Sequence, residues 1–151
     1  MKFTVLGCPI PQGSMRAFIP RNSKLNRPII TSDNPRLKQW RQAVRAEAIK
    51  AMGYEHPAGS KIALRVEALF FLPRAKSNKA IDAIKRPDID KLLRACLDAM
   101  TQVVYDDDSQ IIEAHVFKCY GNPRVEIKVE EVGLVPTLLE HQPMKDRALP
   151  F

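Results

Sequence analysis

A chain of 151 residues with 45% hydrophobic content can close one core but not two ordinary ones, so a single folded unit is expected. Lys and Arg outnumber Asp and Glu by 24 to 17, a formal charge of +7 that favours a polyanionic partner, nucleic acid first, although the same excess also serves plain solubility. The N-terminus shows no charged region leading into a long apolar run, which excludes a secretion signal or membrane span and predicts a cytoplasmic protein. Cys8, Cys96 and Cys119 are odd in number and widely spaced, so they read as reduced, mostly buried thiols. The scattered His56, His115 and His141 are assigned no metal.

In chain order, Lys2 to Gly7 alternates as a short strand, stopped by Pro9, Pro11 and Gly13. Residues 14 to 31 read as a basic loop. Asn34 and Pro35 supply a cap and a preset first residue for an amphipathic helix, in which Leu37, Trp40, Val44, Ala48 and Met52 recur at helical spacing before Gly53. Ile62, Leu64, Val66, Ala68 and Phe70 then alternate with polar or small residues, the period of a strand with one buried face. From Pro73 to Pro87 the chain sets Arg74, Lys76, Lys79, Lys85 and Arg86 against Asp82 alone, which predicts a mobile basic loop. Leu92, Leu93, Ala95, Cys96, Ala99 and Met100 form the apolar side of a second helix, from near Asp88 to near Thr101.

Tyr105 to Ser109 reads as an acidic turn. Two strands follow, Ile111 to Tyr120 and Val125 to Val132, and Gly121, Asn122 and Pro123 between them suit a hairpin that pairs them antiparallel. The residues from Leu134 onward hold Pro136, Pro143 and Pro150 without periodicity, so 1–133 is expected to be the domain and 134–151 an extended or partly disordered arm. The predicted fold class is α+β, a small mixed or antiparallel sheet with helices packed on it.

Chemistry concentrates in two segments, Lys85 to Asp98 and Asp106 to Gln110. Asp88 and Asp90 stand two apart where a loop enters a helix, and an extended local backbone places both carboxylates on one side, where they can share a cation. Magnesium takes few carboxylates and keeps several waters, so one further acid from Asp106 to Asp108 completes a site without histidine. The plainer account is that Asp88 caps the helix, Asp90 suits its dipole and the three aspartates shape a turn. An EF-hand is excluded, because neither the glycine nor the glutamate that its loop needs follows Asp106. Asp90, Arg94 and Asp98 stand four apart on one ridge, an ion-paired ladder in which Arg94 is also placed to meet a scissile phosphate.

These segments resemble the RusA family of Holliday-junction resolvases, which is marked by an Asp-x-Asp motif opening a helix, a basic residue four positions after its second Asp, and a downstream Asp-Asp-x-Gln. Arg86 to Gln110 carries the resemblance, and the early Pro-Gln-Gly turn and order of elements extend it over residues 1 to 132. It implies a homodimeric nuclease, often encoded on phages or prophages, that makes paired magnesium-dependent nicks in four-way DNA junctions during recombination and repair. Asp88, Asp90 and Asp108 inherit the metal-binding roles, with Asp107 as the alternative third ligand. Arg94 stands where the family commonly has a lysine, which keeps the charge and changes its shape. Lys85, Arg86, Lys91, Arg74, Lys76, Lys79 and Arg16 are the expected DNA contacts, with Arg21, Lys24 and Arg27 near the last. Two competing readings are a non-catalytic nucleic-acid-binding module, which binds without cutting, and a nuclease for flaps, forks or other branched DNA.

Overall fold

The computed structural model describes residues 1–13, 15–18, 29–32 and 35–133. Its elements are β1 (Lys2–Leu6), β2 (Met15–Phe18), β3 (Ile29–Ser32), α1 (Leu37–Met52), β4 (Leu64–Leu72), α2 (Ile89–Met100), β5 (Ile111–Tyr120) and β6 (Arg124–Glu131). A single 3-10 turn, Asp108–Gln110, precedes β5. Strands β1, β6, β4 and β5 form a mixed sheet in that order, with β4 and β5 parallel and the other neighbours antiparallel. This is the α+β arrangement that the alternating patterns anticipate.

Alternation selects the buried face. Val5 of β1, Val66, Ala68 and Phe70 of β4, and Val125, Ile127 and Val129 of β6 share one core with Trp40 and Val44 of α1 and Leu92, Cys96 and Met100 of α2. Removing a fully buried ring such as Phe70 from that core costs about 3 to 5 kcal/mol. The opposite face of the sheet is laced by ion pairs, among them Arg65–Glu113 at 2.7 Å and Lys128–Glu130 at 2.8 Å.

The last two strands depart from the expected hairpin. β4 lies between β5 and β6, and the turn at 121–123 crosses over its end, where the Gly121 N–H donates to Leu72 O at 2.9 Å. The span is two strand spacings, about 9.5 Å, within reach of a three-residue connection. The two interior places go to β6 and β4, and β4 buries Leu64, Val66, Ala68, Phe70 and Leu72.

The stretch expected to be a basic loop contains a second, two-stranded sheet, in which Met15 pairs with Ser32 and Phe18 with Ile29. Ile29, Ile30 and Thr31 were its signal, a β-branched run hidden among basic and turn residues. Asn34, offered as a cap, lies outside the described residues, and α1 begins at Leu37. The side chains of Arg16, Arg21, Lys24 and Arg27 and the arm over 134–151 also lie outside them.

Two further expectations change. Asp98 pairs with Arg41 of α1 and not with Arg94, so it joins the two helices where a ladder along α2 was expected. Of the thiols only Cys96 is fully buried, and burial pushes it up to about 12; Cys8 is exposed and Cys119 half-buried. No helix among the described residues is long and apolar enough to cross a membrane.

Candidate active site at the entrance to α2

The start of α2 gathers the first acids. Asp88 occupies the N-cap position with extended backbone, φ −69° and ψ 139°, whereas Asp90 already lies in the first helical turn, so the expected extended conformation holds for Asp88 alone. The Asp88 carboxylate makes no capping hydrogen bond; its partner is the Lys91 ammonium at 2.9 Å. Lys91 holds the Asp88 carboxyl below its ordinary range, with Arg86 and Lys118 adding to the effect. The exposed Asp90 and Arg94 have no side-chain partner among the described residues. Neither carboxylate is therefore used in capping, Asp88 being paired with Lys91 and Asp90 standing in the first turn, where the helix dipole favours it.

Lys118 of β5 fastens the approach to these acids. Its ammonium donates to Lys85 O at 3.0 Å and to Pro87 O at 2.9 Å, one peptide from Asp88. A cation near a helix N-terminus opposes the helix dipole, and here two carbonyls and Asp88 offset that cost. On the other side, the Gln12 N–H donates to Lys91 O at 2.8 Å, which brings the segment leading into β2 against the first turn of α2.

Residues 73–87, expected to be a mobile basic loop, form no helix or strand yet are tied down at several points. Asn78 donates through Nδ2 to the Tyr120 hydroxyl at 2.6 Å, and Arg74 bonds Asn78 O at 2.9 Å while its guanidinium lies 5.7 Å from the Tyr120 ring centre. Lys76, Lys79, Lys85, Arg86 and Lys91 are exposed. Of the loop's cations, Arg86 acts on the Asp88 carboxyl.

The second acidic segment is equally ordered. Asp107 caps the 3-10 turn by accepting from the Ser109 N–H at 2.9 Å, which holds its carboxyl below the ordinary range. Gln110, only 7% exposed, accepts from the Asp106 and Asp107 N–H groups at 2.9 and 3.0 Å. It also donates to Gly59 O at 2.9 Å and Ile62 O at 3.1 Å. Asp107 is thereby committed to structure, whereas the exposed Asp108 carboxylate has no hydrogen-bond partner among the described residues. Asp108 acts at a distance on Tyr105, whose phenol is pushed up by burial first and by this acid next.

The two acidic segments lie at opposite ends of α2. Asp108 precedes the start of β5 at Ile111, and Tyr105 beside it donates its hydroxyl to Leu97 O in the last turn of the helix, whereas Lys118 marks the end at Asp88. From Ile111 to Lys118 a strand rises about 23 Å. Among the described residues no three His, Cys, Asp or Glu side chains gather into a metal-binding group. The donor chemistry at Asp88 and Asp90 nevertheless fits magnesium, which takes one or two carboxylates and completes its shell with water or phosphate oxygen.

Reading the sequence missed Gln12, Arg41 and Lys118. Lys118 did leave a trace, as a charge in the inward row of β5 between Val116 and Tyr120.

Exposed Lys85, Arg86, Lys91 and Arg94 around the entrance to α2 give this surface the sign of charge that a phosphate backbone attracts. The chain belongs to the RusA family: the family described as endodeoxyribonuclease RusA matches residues 9–130, most of its length. It is therefore a member of an endodeoxyribonuclease family that acts on branched DNA junctions. It is also similar to the uncharacterized protein YqaN of Bacillus subtilis (strain 168), at 31% identity over 144 residues, covering 88% of this chain and 97% of that protein.

Proposed function

We propose that this protein resolves four-way DNA junctions by paired, magnesium-dependent nicks, as a homodimer acting on DNA in the cytoplasm. The observation that carries the reading is the pair of carboxylates at Asp88 and Asp90, placed at a helix entrance without being consumed by capping. They would hold the metal with Asp108 as the third acid. Because Asp108 lies at the far end of its own α2, the reading assigns the third carboxylate of each site to a second copy of the chain. A two-fold pair then carries two sites, matched to two symmetry-related strands.

When bound, magnesium polarises the scissile phosphate and acidifies the attacking water. The chain's own part is placement and charge. Lys91, which pairs with Asp88, would be placed to meet a phosphate oxygen were that carboxylate to hold the metal, and Arg94, one turn beyond Asp90, would offset charge developing at the reacting phosphate. Lys85, Arg86, Arg74, Lys76 and Lys79 hold the backbone leading to the cut, with Arg16 on a neighbouring arm. The nuclease unit spans 1–133, with 134–151 as an appended arm.

The test is cleavage of a synthetic four-way junction in magnesium by the wild type and Asp90→Asn, with binding followed separately. Paired nicks by the wild type and binding without cutting by the variant are expected. A wild type that binds but never cuts would instead establish a non-catalytic binding module.

A further inference from the structure

The loop from Pro73 to Pro87 combines features that the metal site leaves unexplained. Ile81 is 88% exposed and Ile84 79% exposed, yet Ala83 between them is buried at 4% in the common core. A tight turn, with the Ile84 N–H donating to Asp82 O at 2.9 Å, sets this reversal. Asn78 on Tyr120 and Lys118 on Lys85 O brace the loop on either side. Two large aliphatic side chains are thus held out into water by an anchored backbone.

A single exposed aliphatic residue is ordinary on a protein surface. Two on one anchored loop, with Lys79, Lys85 and Arg86 exposed around them, make an apolar tip in a positive collar. Isoleucine is branched at Cβ and stiff at χ1, so inserting it between planar groups sacrifices little side-chain freedom. The partner with matching chemistry has apolar faces bordered by phosphates, which is an opened base step.

We propose that Ile81 and Ile84 form a wedge that enters the base stack at the branch point of the DNA, and so makes the enzyme selective for branched over continuous duplex. The proposal rests on the nuclease reading and adds the means of substrate choice. Opening a step in continuous duplex sacrifices stacking, whereas stacking at a branch point is already interrupted. The four residues from Ile84 to Asp88 span at most about 14 Å. That distance places the cut within about four base steps of the wedge.

The experiment uses a four-way junction and a linear duplex of the same sequence, each carrying 2-aminopurine at the position of the crossover, titrated with protein in EDTA. The wild type should raise fluorescence on the junction as the reporter unstacks. Combined Ile81→Ser and Ile84→Ser should abolish most of that rise and lower the preference for junction about tenfold, leaving affinity for the duplex unchanged. Combined Ile81→Leu and Ile84→Leu, with equal apolar volume, should behave as wild type. Serine variants that unstack and discriminate like wild type overturn the wedge. Cleavage of the same junctions in magnesium separates the two ideas: a wild type that unstacks the reporter but never cuts sinks the nuclease and supports the wedge.

Discussion

The Gln12 side-chain oxygen accepts a 2.6 Å hydrogen bond from Nη2 of Arg41, the same guanidinium nitrogen that pairs with Asp98. One buried amide thereby links the N-terminal segment to α1, and through it to α2. Gln12 is only 7% exposed, and Gln12→Ala removes one of the two acceptors of a half-buried guanidinium that keeps Asp98. Stability should fall by about 1 to 3 kcal/mol. Urea unfolding checks this, and an unchanged midpoint would show that water replaces the amide at no cost.

Lys118 holds the backbone that leads to Asp88. In Lys118→Met the approach to the acids is released, and junction cleavage should fall by about ten- to a hundredfold, because small displacements of reacting groups are costly. Junction binding should change far less. Lys118→Arg should recover part of the rate, since a guanidinium also reaches two carbonyls. Single-turnover rates with separate binding titrations make the comparison, and equal rates in all three proteins would remove Lys118 from the site.

A site shared between two chains has a distinctive genetics. Asp90→Asn and Asp108→Asn should each be inactive alone. Mixed chains should regain nicking, because each heterodimer holds one site with the intact pair of one chain and the intact Asp108 of the other. Were all three acids used within one chain, no mixture could recover, so a nicked-plasmid assay on refolded mixtures separates the two arrangements.

On the open face of the sheet, Glu113 is held below the ordinary carboxylate range by Arg65 first and by His115 second. A carboxyl depressed in the folded state binds its proton less readily than in the unfolded chain. Its stabilising contribution is therefore complete above the unfolded value, near 4.5, and is lost as pH falls through the lower folded value. Glu113→Gln should flatten the acid limb of the stability profile slightly and leave neutral pH nearly unchanged, as this pair is well exposed to solvent. Thermal melts from pH 3 to 7 test this, and titration of Glu113 by NMR reports the shift directly.

Helix α2 was legible in the sequence because its apolar residues recur at the helical period and the acids fall at its entrance. The choice of Asp108 over Asp107 could be framed there as well, but capping by Asp107 emerged only with the backbone of the 3-10 turn. The sheet order was not legible. Alternation tells which face of β5 or β6 is buried, while the identity of a neighbour depends on contacts between distant residues, such as Leu69 with Glu126 and with Phe117. Asp98 illustrates the same limit: spacing offered Arg94 on its own helix, and folding delivered Arg41 from another. Gln12 and Lys118 act through backbone carbonyls of residues far away in the chain, and carbonyls carry no mark in a sequence.

Strand β6 is inserted between β1 and β4. During synthesis, β1 leaves the ribosome first and has no lateral neighbour in the main sheet until Arg124 to Glu131 have followed. Meanwhile the acids of α2 have already emerged, along with the basic loop before them. The sheet beneath the entrance to α2 is therefore closed only when its last described strand, β6, has been made.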